Sequence, residues 1–181
     1  MPLHSTPSRF AQATIIGDSD ADPNAIDLAE RVGSMLASHA ITVITGGRGG
    51  VMEAATRAAV RRGGTTVGIL SSTQMDDANP WCSIVIPTGL GHARNALTAL
   101  AADMIVAVGG GAGTLSELCF GWIHGRPIYL MEGSGGWSDR LAGNTLDHRT
   151  RSAIVRCHNI EILETHILEF CQTQGLGFRG L

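Results

Sequence analysis

Short, wholly apolar runs alternate with longer stretches of helical periodicity along most of the chain. Such runs are typical of strands buried on both faces of a parallel sheet, and the stretches between them are typical of helices that cover it. We predict strands over residues 13–16, 41–44, 65–70, 83–86, 104–108, 128–131 and 160–163. We predict helices over residues 25–38, 51–62, 92–101, 114–124 and 164–172. The alternation predicts an α/β fold, a Rossmann-like, doubly wound parallel sheet with helices on both faces.

The 181 residues suffice for one domain with a full hydrophobic core, and no repeat or linker divides them. We expect a flexible leader over residues 1–12, a Rossmann-like ligand-binding domain over residues 13–174 and a loose tail over residues 175–181. The glycine-rich residues 132–143 are expected to form an exposed loop. Ligands of such sheets bind where the strands end, near the point at which the strand order reverses.

Charge and composition narrow the range of functions. A net charge of −3 gives no reason to expect a nucleic-acid partner, and no apolar run is long enough to span a membrane. The first residues lack the apolar core of a signal peptide, so we expect a cytoplasmic protein. The four cysteines form no CxxC pair and the histidines show no zinc-like spacing, so we expect no bound metal.

All thirteen basic residues, histidine apart, are arginines. A pyridoxal-phosphate (PLP) enzyme needs a lysine for its Schiff base, and the nucleotide P-loop also needs one, so we expect neither class. The GxGxxG fingerprint of NAD-binding proteins is absent after the first predicted strand, where the chain reads Gly-Asp-Ser-Asp. We therefore do not expect NAD as a cofactor.

Two glycine-rich loops each follow a predicted strand and open a predicted helix. Glycines let backbone N–H groups approach an anion, and a helix start adds unpaired N–H groups and a positive dipole end. Two such loops in one short chain predict a site for a phosphate-bearing small molecule. The candidate binding residues in the loops are Gly46, Gly47, Arg48, Gly50 and Met52, followed by Gly110, Gly111, Ala112, Gly113 and Thr114. The first strand ends at the same edge of the sheet with three further candidates, Gly17, Asp18 and Ser19.

Several of these candidates also have a purely structural interpretation. Asp18 and Ser19 either contact the ligand or cap the helix that follows them. Arg48 either clamps a phosphate or faces solvent. Thr88 is a further candidate binding residue, and Met52 and Thr88 are expected to be packing and turn residues near the site.

Arg94 and Glu117 are the candidates for chemistry. Arg94 opens a predicted helix, which is an unfavourable place for a cation unless an anion lies beside it. Thr114 and Glu117 have the spacing of a capping box, in which the threonine caps the helix and the glutamate bonds back to it. Glu117 is therefore a helix cap, a functional carboxylate or both.

The glycine loops and the arginine between them resemble the LOG family, called "lysine decarboxylase-like" in older descriptions. The family motifs GGGxxGxMG and PGGxGTxxE correspond to residues 45–53 and 109–117, and residues 94–95 stand at the family's Arg-Lys pair. The resemblance extends over residues 14–172. It implies that Arg94 and Glu117 cleave the N-glycosidic bond of a nucleoside 5′-monophosphate through an oxocarbenium-like transition state. It also implies a homodimer or homotetramer.

Three departures from the motifs resemble a sister branch of that family. Gly109 replaces the motif's proline, Asn95 replaces the lysine, and Ser116 stands where a second glutamate is usual. The sister branch contains the molybdenum-cofactor carrier proteins, which bind and protect a phosphate-bearing molybdopterin without turnover. The resemblance therefore implies a carrier of the molybdenum cofactor, with the nucleotide-cleaving activity as the alternative. A nucleotide sensor that uses the same loops is a third interpretation, whereas the lack of lysine gives a decarboxylase no support.

Overall fold

The computed structural model describes residues 9–141, 145–148 and 153–179. One parallel sheet runs through the molecule in the order β4-β3-β2-β1-β5-β6-β7. Its strands are β1 Gln12–Gly17, β2 Thr42–Thr45, β3 Thr66–Leu70, β4 Ile84–Pro87, β5 Met104–Val108, β6 Ile128–Met131 and β7 Ile154–Cys157. The α-helices are α1 Pro23–Ser38, α2 Val51–Arg61, α3 Arg94–Leu100, α4 Ala112–Ile123, α5 Gly136–Leu141 and α6 Ile160–Gln174. This architecture confirms the predicted Rossmann-like fold class.

The strand order reverses at β1. This strand pairs in parallel with β2 on one side and with β5 on the other, so that Ala13 faces Val43 and Met104. Each of these three strands continues into a loop at its carboxyl end, and the β2 and β5 loops are the two glycine-rich ones. The sheet therefore brings the end of β1 and both glycine loops to one edge.

Two apolar layers hold the helices against the sheet. Helices α1, α2 and α6 cover one face, where their buried side chains pack on residues such as Ile15, Val43 and Val106. Helices α3, α4 and α5 cover the other face, where Leu118 and Trp122 pack on the side chains that the strands direct toward that face. Alternate residues of β1 enter the two layers, as expected of a strand buried on both faces.

The last predicted strand is wrong. Residues 160–163 form the first turn of α6, whose N-cap Asn159 accepts a hydrogen bond from the N–H of Ile162 at 2.9 Å. The seventh strand lies earlier, at β7. This strand occupies the sheet edge and its Arg156 side chain leaves the sheet to pair with Glu132, so it lacks the continuous apolar run of a central strand.

The expectation of an exposed loop over residues 132–143 is also wrong for the described part, which ends at residue 141. Residues 136–141 form α5, and the side chains of Ser134 and Ser138 are buried. Residues 142–143 lie outside the described residues.

The structure differs from the expected leader and tail where it describes them. Gly177 donates its N–H to the carbonyl of Arg9, and Ala11 donates to the carbonyl of Gly177, both at 2.8 Å. Leu176 and Phe178 pack against the core, which gives residues 175–179 a fixed place. Residues 1–8 and 180–181 lie outside the described residues. In the described part of the chain, no helix is both long and apolar enough to cross a bilayer.

Candidate functional site

A cleft of about 600 Å³ opens at the carboxyl edge of the sheet, between the ends of β1, β2 and β5. Backbone and side-chain atoms of both glycine loops line it, together with the start of α3 and the first two turns of α4. The residues that line it are Ile15, Ile16, Gly17, Asp18, Ser19, Gly46, Arg48, Gly49, Met52, Ser71, His92, Arg94, Asn95, Gly111, Ala112, Gly113, Thr114 and Glu117.

The first half of the second glycine loop is fixed by hydrogen bonds from its surroundings. The N–H of Gly109 donates to Ser134 Oγ at 2.7 Å, and Ser138 Oγ donates to the Gly109 carbonyl at 2.8 Å. The N–H of Gly110 donates to Asp18 Oδ2 at 2.9 Å, and its carbonyl accepts from the N–H of Trp137. Gly109 and Gly110 have φ of 65° and 107°, values that side-chain-bearing residues rarely adopt. These two residues therefore have no free backbone group for a ligand.

The second half of this loop presents free donors. Helix α4 begins at Ala112, and its N-cap Gly111 provides no side-chain cap. Within the described chain, no acceptor pairs with the N–H groups of Gly111, Ala112, Gly113 or Thr114. Because the helix dipole is positive at this end, these N–H groups form an array suited to an anion.

Asp18 joins the two glycine loops. Its carboxylate holds the N–H of Gly110, and its backbone carbonyl accepts from the N–H of Val51, the first residue of α2, at 3.0 Å. Gly50, with φ of 62°, lies against this carbonyl so closely that a Cβ would come within 2.2 Å of it. Asp18 is thus positioned by the fold at the centre of the cleft wall and does not cap α1, whose N-cap is Asp22.

Arg94 and Glu117 face each other across the cleft floor. Arg94 is 9% exposed and Glu117 is 7% exposed, and their atoms Nη1 and Oε1 are 3.7 Å apart. Arg94 Nη1 also donates to Thr98 Oγ1 at 3.0 Å, whereas among the described residues its buried Nε has no partner. The guanidinium continues to the first glycine loop, where Gly46 has no side chain to obstruct it.

Burial changes the acidity of both groups. Removal from water raises the pKa of Glu117 to about 7, and the opposing effect of Arg94 is smaller. Burial also lowers the pKa of Arg94, against the raising effect of Glu117, and the charge of Arg48 lowers it further. A carboxyl group that ionises near neutrality inside a cleft is the kind of group that enzymes and binding sites use.

The predicted capping box is wrong. Because α4 begins at Ala112, Thr114 is the third residue of the helix, and its side chain fills the space beside Gly110. Glu117 lies one turn further on and faces Arg94. The cap interpretation of Glu117 is therefore excluded by where the helix starts.

Four predicted site residues do not line the cleft. Gly47 and Gly50 shape the first loop with φ of 70° and 62°, and Gly110 is occupied by its bonds to Asp18 and Trp137. Thr88 is a turn residue that donates its hydroxyl to the Leu70 carbonyl at 2.7 Å. The other predicted site residues lie around the cleft, with Met52 packed beside Gly46.

The sequence predictions also missed part of the cleft wall. Asn95 lines it and donates from Nδ2 to Ser116 Oγ at 2.7 Å, which joins α3 to α4. These are two of the positions at which the chain departs from the family motif, so a signal for their contact was present in the sequence. The remaining lining residues that were not predicted are Ile15, Ile16, Gly49, Ser71 and His92.

The fold and the cleft together define a Rossmann-like α/β protein with a polar site at the switch point of its sheet. The sequence pattern of the SLOG cluster4 family matches residues 11–163, and the chain belongs to that family. A relative from Archaeoglobus fulgidus, described as an uncharacterized protein, is 37% identical over 124 residues, which are 68% of this chain and 82% of the relative.

Several solved structures have a similar fold. The structure of TM1055 is 31% identical with a TM-score of 0.83, over 88% of this chain and 99% of that one. The molybdenum cofactor carrier protein from Chlamydomonas reinhardtii is 26% identical with a TM-score of 0.76, over 91% and 99%. The molybdenum cofactor binding protein from Rippkaea orientalis is 26% identical with a TM-score of 0.67, over 94% and 89%. The predicted resemblance to a LOG-like family, near the carrier branch, is thus confirmed.

Proposed function

We propose that this protein binds the molybdenum cofactor as cargo, with the phosphate of the pterin on the N–H groups of Gly111–Thr114. The observation that carries the proposal is this free N–H array next to a buried arginine whose Nε has no partner in the described chain. A phosphate monoester needs several donors and a cation, and the cleft offers both. The similarity to two proteins named for binding or carrying this cofactor supports the pterin as the rest of the ligand.

The cleft has a suitable size and wall for such a ligand. Its volume of about 600 Å³ lies within the range of small-molecule sites. Arg48 and Ser19 are exposed near its mouth, while Ile15 and Ile16 contribute an apolar floor. In the described chain, no three histidine, cysteine or acidic side chains come together as a metal site, so the proposed contacts are with the organic part of the cargo.

Retention of the cofactor under anaerobic conditions tests the proposal. We expect the purified protein to retain the cofactor during gel filtration and to slow its oxidation in air. Arg94→Gln should weaken retention roughly tenfold or more, because a charge-assisted pair to phosphate is lost. Arg31→Gln is the matched control, since Arg31 lies on α1 away from the cleft and has only a 3.9 Å pair with Asp27. If the wild-type protein neither retains nor protects the cofactor, the proposal is wrong.

A second candidate function is cleavage of a nucleoside 5′-monophosphate at its N-glycosidic bond. One observation favours it: a carboxyl group with a pKa of about 7 lies 3.7 Å from Arg94 and one helical turn from the free N–H array. With phosphate on the array, Glu117 would face the sugar, where it would stabilise positive charge and orient a water molecule.

Release of free base from AMP or an N6-substituted analogue tests this second function. We expect Glu117→Ala to abolish this release while phosphate binding persists. Absence of any free base from the wild-type protein would exclude the hydrolase and leave the carrier. We place either activity in the cytoplasm, as the sequence predicts.

A further inference from the structure

The wall of the cleft contains two carboxyl groups beside the free N–H array. Asp18 uses Oδ2 to hold Gly110, while Oδ1 accepts no hydrogen bond from the described chain. This free oxygen is 3.4 Å from the point where a Cβ of Gly111 would be, so it lies beside the first residue of the array. A site for a fully ionised anion would not be expected to place a carboxylate there.

The second carboxyl group is on the same helix as the array. Glu117 is 7% exposed, lines the cleft and makes no hydrogen bond within the described chain. Its ion pair with Arg94 is long, at 3.7 Å, so the Glu117 carboxyl group can also pair with a polar group of a ligand. Two arginines, Arg48 and Arg94, also line the cleft, so that the carboxylates are opposed by cations on the remaining walls.

Charge alone does not explain why carboxylates flank an anion site, but a proton on the anion does. A phosphate monoester loses its last proton near pH 6, so it can donate a P–OH hydrogen bond at near-neutral pH. A sulfate ester is fully ionised and has no proton to donate. An acceptor beside the anion therefore stabilises one of these groups and repels the other.

We propose that the cleft selects anions that carry an ionisable proton, phosphate monoesters over sulfate esters, and that Asp18 Oδ1 accepts the P–OH hydrogen bond. This inference rests on the proposed function, because it requires the anion to lie on Gly111–Thr114. It assigns Asp18 two roles, because Oδ2 holds the loop through the N–H of Gly110 and Oδ1 accepts the hydrogen bond from the ligand. The ligand class is narrowed to monoesters, and phosphodiesters are excluded along with sulfates.

Phenyl phosphate and phenyl sulfate are matched probes for the test, since they differ only in the anionic group. Their dissociation constants should be measured between pH 6 and pH 8 by titration of the amide ¹⁵N–¹H signals of residues 111–114. We expect phenyl phosphate to bind about tenfold more tightly at pH 6, the size of one hydrogen bond to a charged group. The ratio of the two constants should fall as the pH rises and the phosphate proton is lost. Ionised Glu117 repels dianionic phosphate more than monoanionic sulfate, so the titration is repeated with Glu117→Gln, in which this contribution is absent.

Asp18→Asn is the decisive variant. Asparagine keeps an oxygen for the N–H of Gly110 but loses the charged acceptor, so the loop is retained and the ratio should fall less as the pH rises than it does in the wild type. Asp20→Asn makes the same charge change at an exposed position that does not line the cleft, and it should leave the ratio as in the wild type. In Glu117→Gln the ratio should still fall as the pH rises, because the contribution of Asp18 remains.

Three outcomes would overturn the inference, and they are distinguishable from each other. Equal binding of both probes by the wild-type protein would remove the selectivity but leave the proposed anion site in place. A pH dependence that is lost in Glu117→Gln but not in Asp18→Asn would show that Glu117, and not Asp18, accepts the hydrogen bond of the phosphate proton. Binding of neither probe at residues 111–114 would refute the proposed function together with this inference.

Discussion

At the scale of single residues, the cleft depends on position 46 being a glycine, which has no side chain. A Cβ there would lie 2.4 Å from Arg94 Nη1 and 2.8 Å from Met52 Sδ, both well inside van der Waals contact. The backbone of Gly46 is not in the left-handed region, so the requirement for glycine is one of space. Position 46 therefore controls where the Arg94 guanidinium can lie.

Gly46→Ala should displace Arg94 and weaken binding of phenyl phosphate roughly tenfold, at a stability cost of about 1 kcal/mol. Gly49→Ala is the control in the same loop, because the nearest atom to its Cβ would be 3.5 Å away. Isothermal titration of both variants measures the effect. Equal affinity of the two variants would contradict the assigned role of position 46.

Glu117 makes the stability of the protein depend on pH. Its pKa is about 7 in the folded chain against an ordinary value of 4.5, so between these values the folded state holds a proton that the unfolded state has lost. The stabilisation is fully present below pH 4.5 and is lost as the pH rises through 7. The shift corresponds to about 3 kcal/mol at most.

Glu117→Gln should remove this pH dependence, because glutamine resembles the protonated carboxyl at every pH. Urea unfolding at pH 5, 6, 7 and 8 should show the variant gaining on the wild type as the pH rises. Glu161→Gln neutralises an exposed glutamate on α6 and should follow the wild type. A constant difference between Glu117→Gln and the wild type across this range would contradict the shifted pKa.

The departures from the family motif also have structural reasons. Proline is restricted to φ near −65°, whereas Gly109 has φ of 65°, so the loop in this conformation cannot contain the proline. Asn95 and Ser116 contact each other at 2.7 Å, and a neutral pair thus replaces a lysine and a glutamate. The sequence showed three separate differences, and their physical connection required the structure.

At the scale of elements, the second glycine loop is held by a segment that the sequence did not identify. Ser134 precedes α5 and Ser138 lies within it, and both side chains bond to Gly109. Ser134 is the more demanding of the two, because its hydroxyl also donates to the Met131 carbonyl at 2.5 Å. The end of β6 is thereby tied to the end of β5.

Ser134→Ala should cost about 2 kcal/mol, since it leaves the buried N–H of Gly109 without a partner. Ser138→Ala should cost less, about 1 kcal/mol, because the Gly109 carbonyl keeps the N–H of Ser138 at 3.1 Å. Denaturant unfolding gives both values, and phenyl phosphate binding should weaken more in the first variant. The reverse order of the two losses would show that the loop is held in another way.

The sequence pattern predicted some helices and strands more clearly than others. The strands from β1 to β6 were predictable, because continuous apolar runs between glycine turns have few other uses. Edge strand β7 and the short α5 were not, since β7 directs Arg156 outward and α5 begins inside a glycine-rich stretch. The loop glycines of the cleft were also predictable, because they form a local sequence pattern. Contacts between distant segments, such as Ser134 with Gly109, leave no local pattern and were not predictable.

At the scale of the whole molecule, the sheet is less well covered at β4 than at its centre. Ile84 and Ile86 are 49% and 45% exposed on this edge strand, and Leu97 of α3 is 45% exposed. Between Pro80 and Ala101 the only basic residues are His92 and Arg94, and no residue is acidic, so two copies of this surface would meet without like-charge repulsion. By contrast, Leu118 and Trp122 of α4 are buried in the core and are not available to a partner.

We expect the predicted homodimer or homotetramer to form through the β4 edge. Ile86→Asp should therefore reduce the sedimenting mass, because a charge would be buried at the contact. Ile123→Asp is the control, as Ile123 is equally exposed but lies at the end of α4. A monomeric wild-type protein, or equal loss of mass in both variants, would contradict this interface.

The hydrogen bonds between Gly177 and residues 9 and 11 hold the two ends of the described chain together. The order of the elements along the chain could therefore be changed while their arrangement in space is kept. A linker of a few residues could join position 179 to position 9, and the chain could be reopened in the exposed turn at Gly63, where no atom approaches within 4 Å of a Cβ. Such a circular permutant would synthesise the β5 loop before the β2 loop and still enclose the same cleft. The site can in this way be moved along the gene without being moved in space.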